Sequence, residues 1–335
     1  MFHKFLLVVL CVLFAAPQVF ASDVLDYIPA EADLIIQSNI KELVALPEFQ
    51  KALEDVIEKS DNASIKQMKN TGLDMLKDVN SVTIFLPLDA IMGAVSGNVP
   101  TESNIGLIIN GKFNIDNIMN ALKNNSEASK QLVFNVENGL NTLTYMNKET
   151  GNGKIIFMDN NTIIIGSELG VDNAKAVKFG KKASIKSKAN FSKAVSVLNP
   201  KSVLAFTTEL SSETKASFAQ NEELKFLSKI MYVSVDLNLD EDVLPLNITG
   251  TFDKDTDMKA AGKWFEELSP KLSAVEAPYE AFDDFIKNYK SSVKGDSIVI
   301  SSLVKKDSIK KIIENEGGPE LPESETESEI EETEE

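Results

Sequence analysis

The chain has 335 residues, a formal net charge of −17, 43% hydrophobic and 25% charged residues, which describes an acidic globular protein longer than one typical domain. Its only histidine is His3, its only cysteine is Cys11, and all 34 basic residues are lysine. Past the N-terminal leader these counts exclude zinc sites, cysteine nucleophiles and Ser-His-Asp triads, and without arginine there is no bidentate guanidinium to grip phosphate.

Lys4, the apolar run over residues 5–16 and Val19-Phe20-Ala21 read as a signal peptide over residues 1–21. The run is shorter than the about 20 residues of a membrane span, so no transmembrane anchor is expected after cleavage. An exported chain of this size with no cysteine left points to a bacterial source and a periplasmic or extracellular location.

Leu34-Ile35-Ile36 predicts a short buried strand, and the spacing of Leu43, Leu46, Phe49, Leu53, Val56 and Ile57 predicts a helix over 41–59. Strands are expected at 82–86 and 105–109, then a helix at 114–123. Three more strands follow at 143–146, 154–158 and 162–165, the last two joined by the turn Asp159-Asn160-Asn161, and a helix at 171–177 closes this part. After Asn199-Pro200 the pattern restarts: strand 203–207, helix 213–229, strands 231–239 and 246–252, helices 256–268 and 279–289, strand 297–303 and helix 307–313. Residues 316–335 hold ten glutamates, no lysine and only Leu321 and Ile330 as aliphatic side chains. Such a segment cannot bury enough apolar surface to offset its ordering entropy, so a disordered acidic tail is expected. Without that tail and Lys4, residues 22–315 carry −8, which disfavours nucleic acid and anionic membrane surfaces as partners.

Two stretches match within the chain. Gly111, Phe113, Asp116, Met119 and Ala121 match Gly250, Phe252, Asp255, Met258 and Ala260 at one offset of 139, and Ile163, Ile165, Ser167, Asp172 and Lys175 match Ile298, Ile300, Ser302, Asp307 and Lys310 at 135. The expectation is therefore an α+β protein of two related lobes, 22–198 and 199–315, that arose by internal duplication. Each lobe would carry a ferredoxin-like β-α-β-β-α-β series that forms antiparallel sheet with helices.

The run Tyr27-Ile28-Pro29-Ala30-Glu31-Ala32-Asp33-Leu34-Ile35-Ile36, then Leu46-Pro47-Glu48-Phe49, just after the leader, resembles the start of a group of signal-peptide-bearing exported bacterial proteins of unknown function. That resemblance implies export and the outline of the fold, and it implies no activity, cofactor or site residue.

What remains for chemistry is carboxylate, lysine, serine, threonine and tyrosine. Ser-x-x-Lys occurs at Ser38, Ser212, Ser291, Ser302 and Ser308, close to its chance frequency, and the companion motifs of Ser-Lys hydrolases are out of order. Two runs, Asp253-Lys254-Asp255-Thr256-Asp257 and Asp236-Leu237-Asn238-Leu239-Asp240, space oxygen ligands like the opening of an EF-hand loop, but Met258 and Glu241 replace its glycine and Trp264 and Asn247 its final glutamate. No metal or cofactor is expected. The aromatic segment Trp264, Phe265, Tyr279, Phe282, Phe285 and Tyr289 is the candidate ligand surface, weighed against a helix packed on the sheet. Together these features predict an exported, non-catalytic binding or structural protein acting through an interlobe or second-lobe surface on an envelope protein, lipid or wall component. The alternative is a carboxylate-dependent, glycosidase-like hydrolase.

Overall fold

The computed structural model describes residues 24–45, 50–51, 54, 74–88, 90, 103–126, 128–147, 151–196, 198, 202–240, 242–253, 258–272 and 280–308. The expected signal peptide and acidic tail lie outside them. Among the described residues twelve strands form one sheet, with every neighbouring pair antiparallel. They are β1 (Leu34–Ser38), β2 (Val79–Leu86), β3 (Gly106–Gly111), β4 (Leu132–Glu137), β5 (Leu140–Asn147), β6 (Gly151–Asp159), β7 (Thr162–Ser167), β8 (Leu204–Glu209), β9 (Ile230–Leu237), β10 (Val243–Phe252), β11 (Lys290–Lys294) and β12 (Ser297–Lys305). The helices are α1 (Ile40–Val44), α2 (Met75–Asp78), α3 (Ile115–Asn124), α4 (Ala128–Gln131), α5 (Glu168–Lys178), α6 (Ala189–Ser196), α7 (Ser212–Gln220), α8 (Met258–Leu272) and α9 (Glu280–Lys287). The protein is α+β, a large antiparallel sheet with several helices.

The sheet order is β11-β12-β10-β9-β8-β1-β2-β3-β7-β6-β5-β4. Read outward from the β1·β8 pair, one side runs β1-β2-β3-β7-β6 and the other β8-β9-β10-β12-β11, with the β5-β4 hairpin added beyond β6. The matching sequence stretches fall on strands of equal rank: Gly111 ends β3 and Gly250 lies in β10, while Ile163 and Ile165 lie in β7 and Ile298 and Ile300 in β12. Every neighbouring pair is antiparallel, but the helical connections do not all lead to a neighbour: α3 and α4 carry the chain from β3 to β4 at the sheet edge, and α8 and α9 carry it from β10 to β11, with β12 inserted between those two strands.

Local chemistry explains the elements. Burial in β9 alternates residue by residue, as one strand with two unlike faces requires. The β4–β5 hairpin closes through Asn138 (φ 52°) and Gly139 (φ 82°), the left-handed pair that a two-residue turn needs. The Asn114 side chain accepts from Asn117 N (3.1 Å) to cap α3, and Ser167 Oγ accepts from Gly170 N (2.9 Å) to cap α5. A Cβ at Gly170 would fall 2.1 Å from the Ile105 carbonyl oxygen, so glycine is what lets α5 lie against the sheet.

The expected helix over 213–229 divides into α7 and a 3-10 turn, Lys225–Lys229, because Asn221 caps α7 with extended backbone. One sheet face packs Ile35, Phe85, Ile108, Ile156 and Ile164 against α5, α6 and the 3-10 turns Val24–Tyr27 and Ile185–Ser187. The other face holds two separate clusters, Leu43, Phe113, Leu143 and Phe157 with α1 and α3, and Phe252, Ala261, Phe265 and Ile298 with α8.

Candidate functional site

The aromatic segment is built mainly into the core. Phe265 on α8 is buried, and Trp264 beside it is half-buried at 5.0 Å between ring centroids. Phe226 meets both rings, at 5.2 Å from Trp264 and 6.1 Å from Phe265. Tyr289 is buried and its Oη donates to the Phe265 carbonyl (3.1 Å), while Phe285 lies edge-on to it at 6.3 Å. Tyr279 and the side chain of Phe282 lie outside the described residues. The five side chains the structure describes here, Phe226 included, thus fasten α8 and α9 to the second side of the sheet, and Trp264 offers the most open ring among Trp264, Phe265 and Tyr289.

The two acidic runs part company. Asp253 is exposed and Lys254 to Asp257 lie outside the described residues. Asp236 and Asn238 are buried, and Asp236 Oδ1 accepts from Ser202 Oγ (3.0 Å), Asn238 Nδ2 (3.1 Å) and Asn247 Nδ2 (2.9 Å). Among the described residues no group of three or more His, Cys, Asp or Glu is placed to hold a metal ion. The same buried row of the sheet continues through Gln37, paired across the strands with Thr83 and Ala205. Gln37 is 0% exposed, and among the described residues neither its amide nitrogen nor its oxygen has a hydrogen-bond partner.

On the α5 side Lys154, Lys175, Glu137 and Asp172 form a compact ion cluster. Lys154 Nζ lies 2.8 Å from Glu137 and 2.9 Å from Asp172, and Lys175 Nζ lies 2.6 Å and 3.2 Å from the same two carboxylates. Hydrogen bonds from Lys154 and Lys175 hold the Glu137 carboxyl below its usual range. Burial alone would lower Lys154, but its bonds to Glu137 and Asp172 outweigh that and raise it. Burial, with the Glu209 and Asp33 carboxylates nearby, pushes the Tyr232 hydroxyl up to about 12. A shallow hollow of about 460 Å³ beside α3 is lined by Phe113, Asn114, Ile115, Asp116, Asn141 and Asn160, where Asn114 is already engaged as a cap.

The feature that no single stretch of sequence announces is a strip of apolar side chains. On the face opposite Gln37, cross-strand partners run Ile300, Ile248, Val235, Phe206, Ile36, Ile84, Leu107, Ile165, Ile155, Leu143 and Phe134, one from each strand from β12 to β4. At its centre Val235, Ile248, Phe206 and Ile36 are only half-buried, and none of them belongs to the three buried clusters. This sheet is therefore inverted about β1·β8: amide and hydroxyl groups are buried on one face, and aliphatic side chains are left partly open to water on the other.

No family model matches the chain, and no curated protein matches it in sequence. Among solved structures it is similar to two crystal forms of TP0453, form III with a TM-score of 0.49 and form I with 0.45, each at 9% identity. The similarity covers 88% of this chain in both cases, and 99% and 98% of the respective TP0453 chains.

Proposed function

We propose that this is an exported, non-catalytic binding protein of the bacterial envelope that takes an apolar ligand, the acyl part of a lipid, on the strip across β1, β8, β9 and β10. The observation that carries the reading is the half-buried run Ile36, Phe206, Val235 and Ile248 on the β1·β8 junction, outside the three buried clusters formed among the described residues. A contiguous apolar strip that stays partly open to water gains free energy when it is covered, which favours an apolar ligand. Among the described residues the carboxyls whose pKa shifts clearly, Asp74, Glu137 and Asp284, all move down, whereas a glycosidase acid must be held up, so the hydrolase alternative draws no support from them.

Export by the 1–21 leader and an origin by internal duplication belong to the same proposal. The second is supported by strands of equal rank carrying the matched residues. A fluorescent fatty acid titrated into the protein tests the ligand reading. Saturable binding that falls at least tenfold in Phe206→Ser, with an unchanged circular dichroism spectrum, is the expected result. No saturable binding, or equal binding by the variant, overturns it.

A further inference from the structure

The two outer edges of the sheet are unlike. At one end β11, Lys290-Ser291-Ser292-Val293-Lys294, carries a lysine at each terminus, the usual guard against a foreign strand. At the other end β4, Leu132-Val133-Phe134-Asn135-Val136-Glu137, has no charge over its first five residues, and Val133 and Val136 are 54% and 69% exposed. Among the described residues β4 pairs with β5 alone, and no backbone hydrogen bond links it to any other described segment. An edge that no described segment pairs with, carrying β-branched and aromatic side chains, is a template for one more strand.

We propose that β4 pairs with β4 of a second copy of this chain, antiparallel about a two-fold axis through Phe134. Charge selects the occupant. In that register Leu132 faces Val136 of the other copy, Phe134 faces its own mate, Val133 faces Asn135, and Gln131 faces Glu137, so no like charges oppose one another. The same operation on β11 about Ser292 would set Lys290 against Lys294, a like-charge pair directly across a ladder, which is destabilising. Pairing β4 with β11 of another copy is a head-to-tail contact that leaves free edges and builds open filaments, whereas β4 on β4 closes at two. The register also keeps the faces in step. Phe134 ends the apolar strip that starts at Ile300, and in the dimer the strip continues from Phe134 into the second copy without a break.

Sedimentation velocity of the chain from Ser22 to Glu335, over about 1 µM to about 500 µM, tests the proposal. The expected result is a reversible monomer–dimer equilibrium that weakens at least tenfold in Val136→Lys, an exposed position where the lysine has no need to unfold the strand, and is unchanged in Val293→Lys on β11. A second measurement fixes the register. That chain holds no cysteine, and antiparallel partners lie about 4.5–5.5 Å apart between Cα atoms, within disulfide reach. Phe134→Cys should therefore yield an oxidised dimer, and Val293→Cys should not. Monomer throughout, a dimer untouched by Val136→Lys, or a β4 that pairs only with a strand from another protein would each overturn the proposal.

Discussion

The Lys154 cluster allows a sharp stability test, because its members differ in how far water reaches them. The Lys154 side chain is 5% exposed, that of Glu137 32%. Glu137→Gln leaves two cations, one of them buried, to share Asp172. Removing one partner of a fully buried pair costs about 3–5 kcal/mol, and the surviving Asp172 and partial hydration reduce this to about 1.5–3 kcal/mol. Lys154→Met leaves Glu137 and Asp172 where solvent and Lys175 serve both, and methionine fills the lysine's stem, so about 0–1 kcal/mol is expected. At about 2–4 °C per kcal/mol the two variants should separate clearly in thermal melts.

The pH dependence carries the sign. Glu137 is lowered in the folded state, so its contribution is fully present above its ordinary 4.5 and is lost as pH falls through the lower folded value. The gap between wild type and Glu137→Gln should therefore be largest at pH 7 and close in acid. Urea melts of both variants at pH 7 and pH 3 measure it. Lys154→Met costing more than Glu137→Gln, or a gap that does not shrink in acid, would refute the reasoning.

Phe191, 2% exposed and edge-on to Tyr232 at 5.7 Å, anchors α6, and Phe191→Ala should destabilise by about 3–5 kcal/mol in chemical denaturation. Gln37→Met should be neutral or stabilise by about 1 kcal/mol in the same assay, because it replaces an unpartnered buried amide with an apolar chain of similar shape. For Asp284, burial raises the carboxyl, but bonds from Ser308 Oγ, Lys305 N and the Lys305 ammonium outweigh it and the net shift is down. Its contribution is present above the ordinary 3.8 and lost as pH falls through the folded value, so Asp284→Asn should narrow the acid dependence of the melting temperature.

Alternation made β9 readable as a strand but not its buried face, since Val233, Val235 and Leu237 are half-buried while Tyr232, Ser234 and Asp236 are buried. The β6–β7 turn was readable too, since the Asp159 carboxylate accepts from Asn161 N at 2.7 Å as a local motif does. The edges were not. β11 has one aliphatic residue and β4 has apolar residues on both of its faces, so neither shows the one-sided period that marks a half-buried strand. α6, eight residues long, is too short for its periodicity to stand out. The aromatic segment was legible as helix, yet spacing cannot say whether a ring faces the sheet or water, and Phe265 and Tyr289 turned inward. The apolar strip was invisible for a related reason: it exists only across registers, one residue per strand, while each strand alone also offers the opposite face.

The β1·β8 seam bears on how such a chain reaches its folded state. Five residue pairs, from Leu34 opposite Thr208 to Ser38 opposite Leu204, join positions 166 to 174 residues apart in sequence. Until β8 emerges and docks, the first side of the sheet must wait with Leu34-Ile35-Ile36 as an open ladder, a hazard in any crowded compartment. The seam is also the natural place for two chains to trade partners, since β8 of one molecule fits β1 of another as well as its own. A carrier protein that escorts this chain unfolded would be protecting that one edge above all.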